Sequence, residues 1–569
     1  MSLARFCASL IAVRRSVSSA ARAISSQRSA DRSRCCRRFG RLSCRAALRS
    51  LNVALRSGEQ AQVPTVPCQR TATHHPSRQE ELADIPRTSN DDGMTYLEEH
   101  WGAFYLAIEW IIRLAMVLLV PLRRSPEAAR SWLLLLFFLP IPGLILYIAI
   151  GRPRFPKWRR QRFAGNPRSG QADAALVAAA TGFPANIDWG RRPVAQLVTN
   201  LGGMKAVGGN DLQLLYEYDD TVESLCRDIG DARDHVHLLV YIFADDEVGT
   251  QVVEALGRAA GRGVSCRVMI DALGSRPWRS RVIAAMQARG IDAREVLPVR
   301  PLRWRPARAD LRNHRKLTII DGQIGYIGSQ NIVAADFRPG IRNQELVARA
   351  TGPIVAQLQS VFLSDWYLET EQQLAGDALF PAARQGGDVP LQLLPSGPDY
   401  PVSGSERLTV ELIYGARERV VITTPYFIPD EGLIEAIQSA VLRGVDVRLI
   451  VSLVQDQLLV GLAQRSFYAE MLRAGVRLFL YEDRLLHAKH ITVDDDLATV
   501  GSSNVDIRSF TLNAEANLVI YAPGEVRRIR AVEERYFAGS RELTPEDWAG
   551  RPFMRKIAEN LARLISPLL

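Results

Sequence analysis

The chain has little cysteine in the part that carries its folded domains. Of seven cysteines, only Cys226 and Cys266 lie after residue 93. Two isolated cysteines form neither a disulfide framework nor a cluster of thiolate ligands. In the first segment, Cys35, Cys36 and Cys44 lack the paired spacing and the neighbouring histidine of a zinc site. The sequence therefore predicts no metal site and no cofactor.

The body of the chain also lacks an excess of basic charge. The total net charge is +10, but residues 1–93 hold sixteen arginines, no lysine and seven acidic residues, a balance of +9. Everything from Met94 onward therefore sums to about +1. A nucleic-acid-binding surface needs many cations, because its affinity depends on neutralising phosphates. The charge pattern predicts no nucleic acid partner.

The first 93 residues are rich in arginine, serine and alanine, and Asp31 is the only acidic residue before Glu59. This composition is typical of a transit peptide, of a disordered extension, or of translated sequence upstream of a start at Met94. We favour the last two interpretations. The segment is left out of the fold prediction in each case.

Two long apolar runs follow, and we predict that both span a membrane. The first, Ala103–Leu122, matches the thickness of a bilayer core, and its Glu109 and Arg113 can pair at i,i+4 spacing. The second, Trp132–Ile150, carries no charge. Its prolines at 140 and 142 should kink the helix. A buried hairpin of a soluble protein is the alternative.

Basic residues predict the orientation of these spans. Six lysines and arginines lie between positions 152 and 162, directly after the second run. The positive-inside rule therefore places everything after this run in the cytoplasm, and two spans return the amino end there too. The short loop with Arg123, Arg124 and Arg130 argues against this orientation but is outnumbered.

From about residue 166 the chain contains an internal repeat. The first copy begins with ARDHVHLLVYIFADDEVG at Ala232, and the second with ARERVVITTPYFIPDEG at Ala416. Each continues through a similar RGV segment, RGVSCRVMIDALGS and then RGVDVRLIVSLVQD. Strand, helix and apolar strand alternate in each copy, which predicts two similar α/β lobes.

Each copy ends in the pattern H-x-K-x4-D-x6-G-S-x-N, followed by a glutamate. The first copy reads NHRKLTIIDGQIGYIGSQN and the second LHAKHITVDDDLATVGSSN. The glutamate follows the histidine by 31 residues in the first copy and by 28 in the second. The candidate catalytic residues are His314, Lys316, Asp321, His487, Lys489 and Asp494. The candidate phosphate-binding and supporting residues are Ser329, Asn331, Glu345, Ser502, Asn504 and Glu515.

These residue types fit phosphoryl transfer. In a strand, residues i and i+2 share a face, so each histidine lies beside its lysine. A tight turn after the strand brings the serine and asparagine back to the same end. One imidazole can attack phosphorus while a carboxylate fixes its tautomer, and the other can protonate the leaving alcohol. The lysines and asparagines would stabilise the equatorial oxygens without a metal ion.

Some single residues have a structural interpretation. Asp321 and Asp494, taken alone, are favoured as turn formers over direct catalytic groups. His490 projects from the face opposite Lys489, and His235 and His237 are expected to pack within a strand. The complete pattern, found twice at equivalent places in a repeat, is what predicts the active site.

These motifs resemble the phospholipase D superfamily, and other stretches are similar to its bacterial cardiolipin synthases. Those stretches include GRPRFPKWRRQR, TPYFIPD, GSSNVDIRSFTLNAEANLVIY and ENLARLISPLL. The resemblance implies an α/β fold of two similar lobes with mixed sheets flanked by helices, pseudo-twofold symmetry and a two-helix membrane anchor. The predicted segments are 1–93 (extension), 94–165 (transmembrane hairpin and basic linker), 166–375 (first lobe) and 376–569 (second lobe).

The resemblance also implies a function. Two phosphatidylglycerol molecules would condense into cardiolipin and glycerol through a phosphatidyl-histidine, in the inner membrane of the cell. Its partners would be phosphatidylglycerol and the lipid bilayer. Relatives usually use the first histidine as nucleophile, which implies His314, with His487 as acid and base. The stretch FRPGIRNQE, which ends at Glu345, departs from the aspartate and tryptophan context of many relatives.

Other functions share part of these features. A phospholipase D hydrolase, or a transferase with another alcohol acceptor, would use the same catalytic residues. A nuclease would need a basic groove and no membrane anchor, and a catalytically inactive scaffold would have lost motif residues. The sequence leaves open the acyl-chain preference and the oligomeric state.

Overall fold

The computed structural model describes residues 92–124, 126–151, 155, 157–165, 170–298, 310–400 and 402–565. The predicted extension, with its cysteines, lies outside the described residues except for its last two positions. The described residues belong to one unit, Asn90–Leu569. Its first four helices are α1 (Asp92–Leu119), α2 (Pro126–Phe138), α3 (Pro140–Ile150) and α4 (Lys157–Ala164).

Helix α1 contains the first predicted span. Over Trp101–Leu119 it is long and apolar enough to cross a membrane, and among the described residues it is the one helix that meets both criteria. Its apolar side chains are largely exposed, as with Leu114 and Leu118. Such a surface is suited to lipid contact.

The second apolar run forms two helices and not one kinked helix, so the predicted kink is wrong. The chain reverses at Leu139, where Pro140 begins a new helix. Helices α2 and α3 then pack against each other, with the rings of Trp132 and Tyr147 5.1 Å apart. At 1.5 Å per residue the two helices are about 20 Å and 16 Å long, shorter than the ~30 Å hydrocarbon core.

Nine strands and six helices make up most of the first repeat. The strands are β1 (Val207–Leu215), β2 (His235–Val240), β3 (Ser265–Asp271), β4 (Asp292–Val296), β5 (Arg312–Asn313), β6 (Leu317–Ile320), β7 (Ile324–Gly328), β8 (Asn343–Gln344) and β9 (Val347–Thr351). The helices are α5 (Gly170–Gly182), α6 (Arg192–Gly202), α7 (Tyr218–Asp231), α8 (Glu247–Gly261), α9 (Arg279–Gln287) and α10 (Ile354–Thr370).

The second repeat begins with β10, after the segment 371–388 in which the predicted lobe boundary falls. Its strands are β10 (Val389–Ser396), β11 (Arg419–Thr423), β12 (Phe427–Ile428), β13 (Asp446–Ser452), β14 (Arg477–Tyr481), β15 (Leu485–Leu486), β16 (His490–Val493), β17 (Leu497–Gly501), β18 (Val505–Asp506), β19 (Asn513–Ile520) and β20 (Ser540–Leu543). Its helices are α11 (Gly404–Tyr414), α12 (Glu431–Leu442), α13 (Leu458–Ala474), α14 (Ile507–Thr511), α15 (Pro523–Ala538), α16 (Pro545–Ala549) and α17 (Phe553–Ile565).

The two repeats form one continuous mixed sheet. Its order in the first lobe is β4-β3-β2-β6-β7-β9-β1, and the second lobe continues β10-β19-β17-β16-β11-β13-β14-β20. Equivalent strands are thus met in reverse order on the two sides of the antiparallel β1–β10 pair. This arrangement confirms the predicted pair of similar α/β lobes and places the pseudo-twofold axis between them.

Helices cover both faces of the sheet. Helices α10 and α15 lie over a core shared by both lobes, which includes Trp366 and Ile529. On the opposite face each lobe has its own core. Helix α6 falls within the range predicted for the first lobe, yet its Val194 and Val198 pack in the core of the second. The lobes are therefore interlocked through the helix that precedes β1.

Candidate active site

The two motif histidines lie where the lobes meet. His314 follows β5, which pairs with β19 of the second lobe, and its backbone N–H donates to the carbonyl of Ala514 at 2.8 Å. His487 follows β15, which pairs with β8 of the first lobe, and donates to Gln344 in the same way at 2.8 Å. Each histidine is thus held by a strand of the other lobe, next to the glutamate which that lobe contributes.

The histidine–glutamate pairs are therefore crossed. His314 Nδ1 lies 3.0 Å from both carboxylate oxygens of Glu515. His487 Nδ1 lies 2.7 and 2.9 Å from those of Glu345. Both carboxylates are buried. Each pair leaves Nε2 of the histidine free for chemistry and holds the proton on Nδ1.

The two motif lysines are buried beside the histidines. Lys316 Nζ donates to the carbonyl of His314 at 2.7 Å, and Lys489 Nζ to that of His487 at 2.5 Å. Burial and the charge of Lys489 lower the pKa of Lys316 to about 7. Burial lowers the pKa of Lys489 to about 8. Both ammonium groups are thus poised to gain stability from an anion.

Burial has the same effect on the imidazoles. It lowers the pKa of His314 and His487, and each paired glutamate opposes this effect. Burial alone would raise the pKa of Glu345 and Glu515. The facing imidazoles and the lysines outweigh this effect, so both pKa values are lowered. The glutamates are therefore the negative members of both pairs.

The motif serines and asparagines complete the surroundings. Ser502 Oγ donates to Glu515 at 2.5 Å, while Ser329 Oγ accepts from the backbone N–H of Leu346 at 3.0 Å. Asn331 Oδ1 accepts from the N–H of Ile242 at 3.1 Å. Asn331 and Asn504 both line the cavity. The serines therefore support the glutamate strands, and the asparagines face the cavity.

A cavity of about 320 Å³ lies between the lobes and holds both imidazoles in its wall. Tyr241, Asn331 and Arg338 line it from the first lobe, and Tyr426, Asn504 and Arg508 from the second. The two motif histidines therefore face the same cavity. Within the described ranges, no group of three or more His, Cys, Asp or Glu side chains could hold a metal ion.

The two motif aspartates lie at the far end of their strands from the histidines. Asp321 accepts from the backbone N–H groups of Arg233, Asp234 and His235 at 2.8–2.9 Å. Asp494 accepts from three backbone N–H groups, residues 417–419, and pairs with Arg191 at 2.5 Å. Both aspartates have positive φ. Their contacts are those of turn residues that fix the start of a neighbouring strand.

Three other histidines also lie away from the cavity. His235 and His237 are buried in β2, where His237 stacks on Phe362 with ring centroids 4.4 Å apart. His490 is buried in β16, 3.4 Å from Glu533. These contacts agree with the packing predicted for His235 and His237, and with the prediction that His490 lies on the face opposite Lys489.

Some residues of the site were missed by the sequence argument. Tyr241 lies edge-on to His314 at 4.9 Å between ring centroids. Arg315, which separates the motif histidine and lysine, pairs with buried Asp365 at 2.6 Å, and Asn313 donates to the same carboxylate at 3.0 Å. Asn313 and Arg315 flank His314 directly, and this adjacency was the available signal. They hold the β5–β6 connection in place.

Comparison with known proteins identifies the family. The family described as "Cardiolipin synthase, PLD-like domain" matches residues 225–366 and 409–537. The family "Phospholipase_D-nuclease N-terminal" matches residues 104–152. Both matches agree with the resemblance drawn from the motifs.

Relatives and a solved structure extend this result. Cardiolipin synthase A of Serratia proteamaculans is 36% identical over 484 residues, which cover 82% of this chain and 99% of the relative. That of Proteus mirabilis is 36% identical over 481 residues, with 82% and 98% covered. A crystal structure of phosphatidylserine synthase from Haemophilus influenzae shares the fold, with a TM-score of 0.50, 14% identity and coverage of 66% of this chain and 100% of that chain. The chain belongs to the cardiolipin synthase family of proteins with phospholipase D-like domains.

Proposed function

We propose that the chain is a phosphatidyltransferase that converts two phosphatidylglycerol molecules into cardiolipin and glycerol. The observation that carries the proposal is the pair of crossed histidine–glutamate contacts around one cavity. Such an arrangement provides two imidazoles of fixed tautomer in the wall of one cavity, where one can attack phosphorus and the other can transfer a proton. The relatives named cardiolipin synthase A match this chain over nearly their whole length.

The first step forms a phosphatidyl-histidine. Nε2 of His314 attacks phosphorus while Glu515 stabilises the developing positive charge through Nδ1–H. The P–O bond to the glycerol head breaks, and the leaving oxygen takes its proton from His487, whose imidazolium form Glu345 and the bound phosphate favour against the effect of burial. Glycerol departs, and an N–P bond links the phosphatidyl group to His314.

The second step reverses these roles with a new alcohol. His487 accepts the proton of the terminal hydroxyl of a second phosphatidylglycerol, whose oxygen attacks phosphorus. The N–P bond breaks, and cardiolipin is released. Exchange of the two histidine roles is the competing assignment, and mapping of the modified histidine decides between them.

Charge stabilisation in both steps falls to the lysines and asparagines. Burial lowers the pKa of Lys316 and Lys489, and Glu345 and Glu515 oppose this effect only in part, so each ammonium would gain from further negative charge. A bound phosphodiester supplies that charge and favours the ammonium forms. Asp321 and Asp494 act on strand position rather than on the phosphate, since their carboxylates are filled by backbone N–H groups.

The chain is a membrane protein, and we place its lobes on the cytoplasmic side of the inner membrane. The dense basic charge at residues 152–162, directly after the apolar helices, supports this orientation. Phosphatidylglycerol in the bilayer is then both donor and acceptor, and the anchor holds the cavity close to it.

The test is product analysis with the purified full chain in phosphatidylglycerol vesicles. We expect cardiolipin and free glycerol in equal amounts, and neither from the His314→Ala or His487→Ala variant. Accumulation of phosphatidic acid in place of cardiolipin would identify a hydrolase. Absence of both products from the folded, membrane-inserted enzyme would exclude phosphatidylglycerol as donor. Either of these results overturns the proposal.

A further inference from the structure

The catalytic cavity borders an apolar groove on the first lobe. The groove has a volume of about 470 Å³ and shares Ile242 and Arg338 with the cavity wall. Leu273, Trp278 and Phe337 give it an apolar surface, and the rings of Trp278 and Phe337 lie 6.5 Å apart. Phe337 and Arg338 belong to the FRPG segment, which contributes to both the groove and the cavity wall.

Arg338 stands between the cavity and the groove. Its guanidinium lies over the ring of Phe337 at 4.9 Å and forms an ion pair with Asp456 of the second lobe. Asp456 is fully buried and also accepts from the hydroxyl of Tyr426 at 2.7 Å. The arginine side chain itself remains about one-third exposed (34%). A cation is thus held at the rim, able to reach a ligand.

The proposed reaction requires such a cation. Its product has two phosphodiesters joined by one glycerol, and only one of them reacts. The phosphodiester of the acceptor lipid keeps its negative charge throughout, one glycerol away from the histidines. A phosphodiester anion in a partly buried site needs a charged partner. The acyl chains of the same lipid need an apolar surface. At the rim of the cavity, the guanidinium of Arg338 lies beside the apolar groove.

We propose that Arg338 binds the phosphate of the acceptor phospholipid and that the adjoining groove takes the start of an acyl chain. This inference rests on the proposed function and deepens it. Asp456 holds the guanidinium in place in the free enzyme, and the acceptor phosphate becomes a second anionic partner. Arg338 is then a specificity residue that favours an anionic lipid alcohol over a small neutral one.

The experiment compares two acceptors that share the first step. With the full chain in phosphatidylglycerol vesicles, cardiolipin formation uses the lipid acceptor. Incorporation of labelled free glycerol into phosphatidylglycerol uses an acceptor without phosphate. We expect Arg338→Gln to lower the ratio of cardiolipin formation to glycerol incorporation at least tenfold, and Arg338→Lys to lower it less. Arg342→Gln is the matched control, because Arg342 lies on the same segment and pairs with exposed Asp219.

The outcomes separate this inference from the proposed function. An unchanged ratio in Arg338→Gln, whether both rates fall or neither does, overturns the acceptor site. Equal selectivity loss in Arg342→Gln overturns it too, because the effect would belong to the segment and not to the guanidinium. If the wild-type chain incorporates glycerol but forms no cardiolipin, the proposed function itself fails.

An independent observation concerns the membrane anchor. Arg113, in the middle of α1, pairs with Glu109 at 3.1 Å and donates from Nε to the carbonyl of Phe137 at 3.1 Å. Phe137 lies at the end of α2, where a carbonyl has lost its helical partner. In a bilayer an unpaired carbonyl is costly, so the charged pair of α1 stabilises the reversal between α2 and α3.

The basic residues on both sides of this hairpin agree with a shallow insertion. Arg123, Arg124 and Arg130 precede its apolar part, and the basic cluster of residues 152–162 follows it. If the hairpin enters and leaves the bilayer on one side, both groups lie with the lobes and obey the positive-inside rule. Two full spans would put the first group on the opposite side.

We infer that α2 and α3 form a re-entrant hairpin and that α1 is the one span of the described anchor. The residues before α1 then lie on the side of the membrane opposite the lobes. This differs from the expected return of the amino end to the cytoplasm.

Cysteine labelling of the full chain tests the inference. In a variant without native cysteines, Arg123→Cys should react with a membrane-impermeant maleimide on the same side as Arg342→Cys, a reference in the first lobe. Thr95→Cys should react on the opposite side. The reverse pattern at positions 123 and 95 would establish two full spans and overturn the hairpin.

Discussion

The first and second lobes contribute the same motif residues where they meet, but they surround the cavity between them differently. Each supplies a histidine, a lysine whose ammonium donates to the carbonyl of that histidine, and a glutamate for the histidine of the other lobe. At the rim, the first lobe supplies Arg338 and an aromatic groove, whereas the second supplies the buried carboxylate of Asp456. In the proposed reaction, the matched residues act on one phosphorus atom. The residues that differ between the lobes can distinguish the donor lipid from the acceptor lipid.

The largest expected effect comes from removing either histidine. His314→Ala and His487→Ala should each lower cardiolipin formation by a factor on the order of 10⁴ or more, because both act on the same phosphorus. Rates in phosphatidylglycerol vesicles measure this. His235→Ala is the control, since His235 is buried in β2 outside the cavity. A histidine variant that retained a tenth of the activity would contradict the two-imidazole account.

The crossed contacts predict which substitutions act on the same group. Glu515→Gln and Glu345→Gln should each slow turnover about 10²-fold or more, since the imidazole loses its charged partner. Adding Glu515→Gln to His314→Ala should cost little more, whereas adding it to His487→Ala should cost more. A double-mutant cycle checks this. Coupling of each glutamate to the histidine of its own lobe would contradict the crossed pairing.

The lysines predict a pH dependence. Burial lowers the pKa of Lys316 to about 7 and that of Lys489 to about 8, so the free enzyme loses positive charge as pH rises through this range. The value of kcat/KM, which reports the free enzyme, should therefore fall by up to about tenfold per pH unit above pH 8. In kcat the decline should begin at higher pH, because the bound phosphodiester favours the charged lysines. Identical profiles would argue against direct contact with the anion.

The smallest effect is expected at the turn aspartates and concerns stability. Asp321→Asn and Asp494→Asn should each lower the free energy of unfolding by about 1–3 kcal/mol, because backbone N–H groups lose a charged acceptor. Asp494→Asn should cost more, since it also loses Arg191. Thermal unfolding measures the difference, and turnover per folded molecule should stay near the wild-type value. Loss of turnover without loss of stability would indicate that these aspartates take part in catalysis.

The same comparison has a pH signature. Backbone N–H groups and Arg191 outweigh burial and lower the pKa of Asp494. Its contribution to stability is therefore present above the ordinary carboxyl pKa of about 4 and is lost as pH falls through the lowered pKa. The stability difference between wild type and Asp494→Asn should narrow below about pH 4.

The sequence predicted the repeat, the reacting residues and the class of fold, because each copy contains a full strand pattern and a full motif. It did not predict that each histidine contacts the glutamate of the other lobe. Glu345 and Glu515 each follow the histidine of their own copy, and order along the chain says nothing about contacts across an interface. The short strand pairs β5–β19 and β15–β8 place each histidine beside the glutamate of the other lobe. Strands of two residues are too short to show a periodic pattern in the sequence.

The anchor shows a different limit. Hydropathy measures how apolar a run is but not whether the chain reverses inside it. The run Trp132–Ile150 is long enough for one span, yet its Pro140 starts a second helix and contact with Arg113 stabilises the turn. The arginines at 123, 124 and 130 are the sequence feature that favours the inferred re-entrant hairpin over a second full span.

In the proposed reaction, a phosphatidyl group passes through one histidine that a glutamate of the other lobe supports. Rapid quenching with labelled phosphatidylglycerol, followed by peptide mapping, detects this intermediate. We expect label on His314 in the wild type, and much less label when Glu515→Gln is introduced. Label on a residue outside the two crossed pairs, or cardiolipin formation with no labelled histidine, would contradict it.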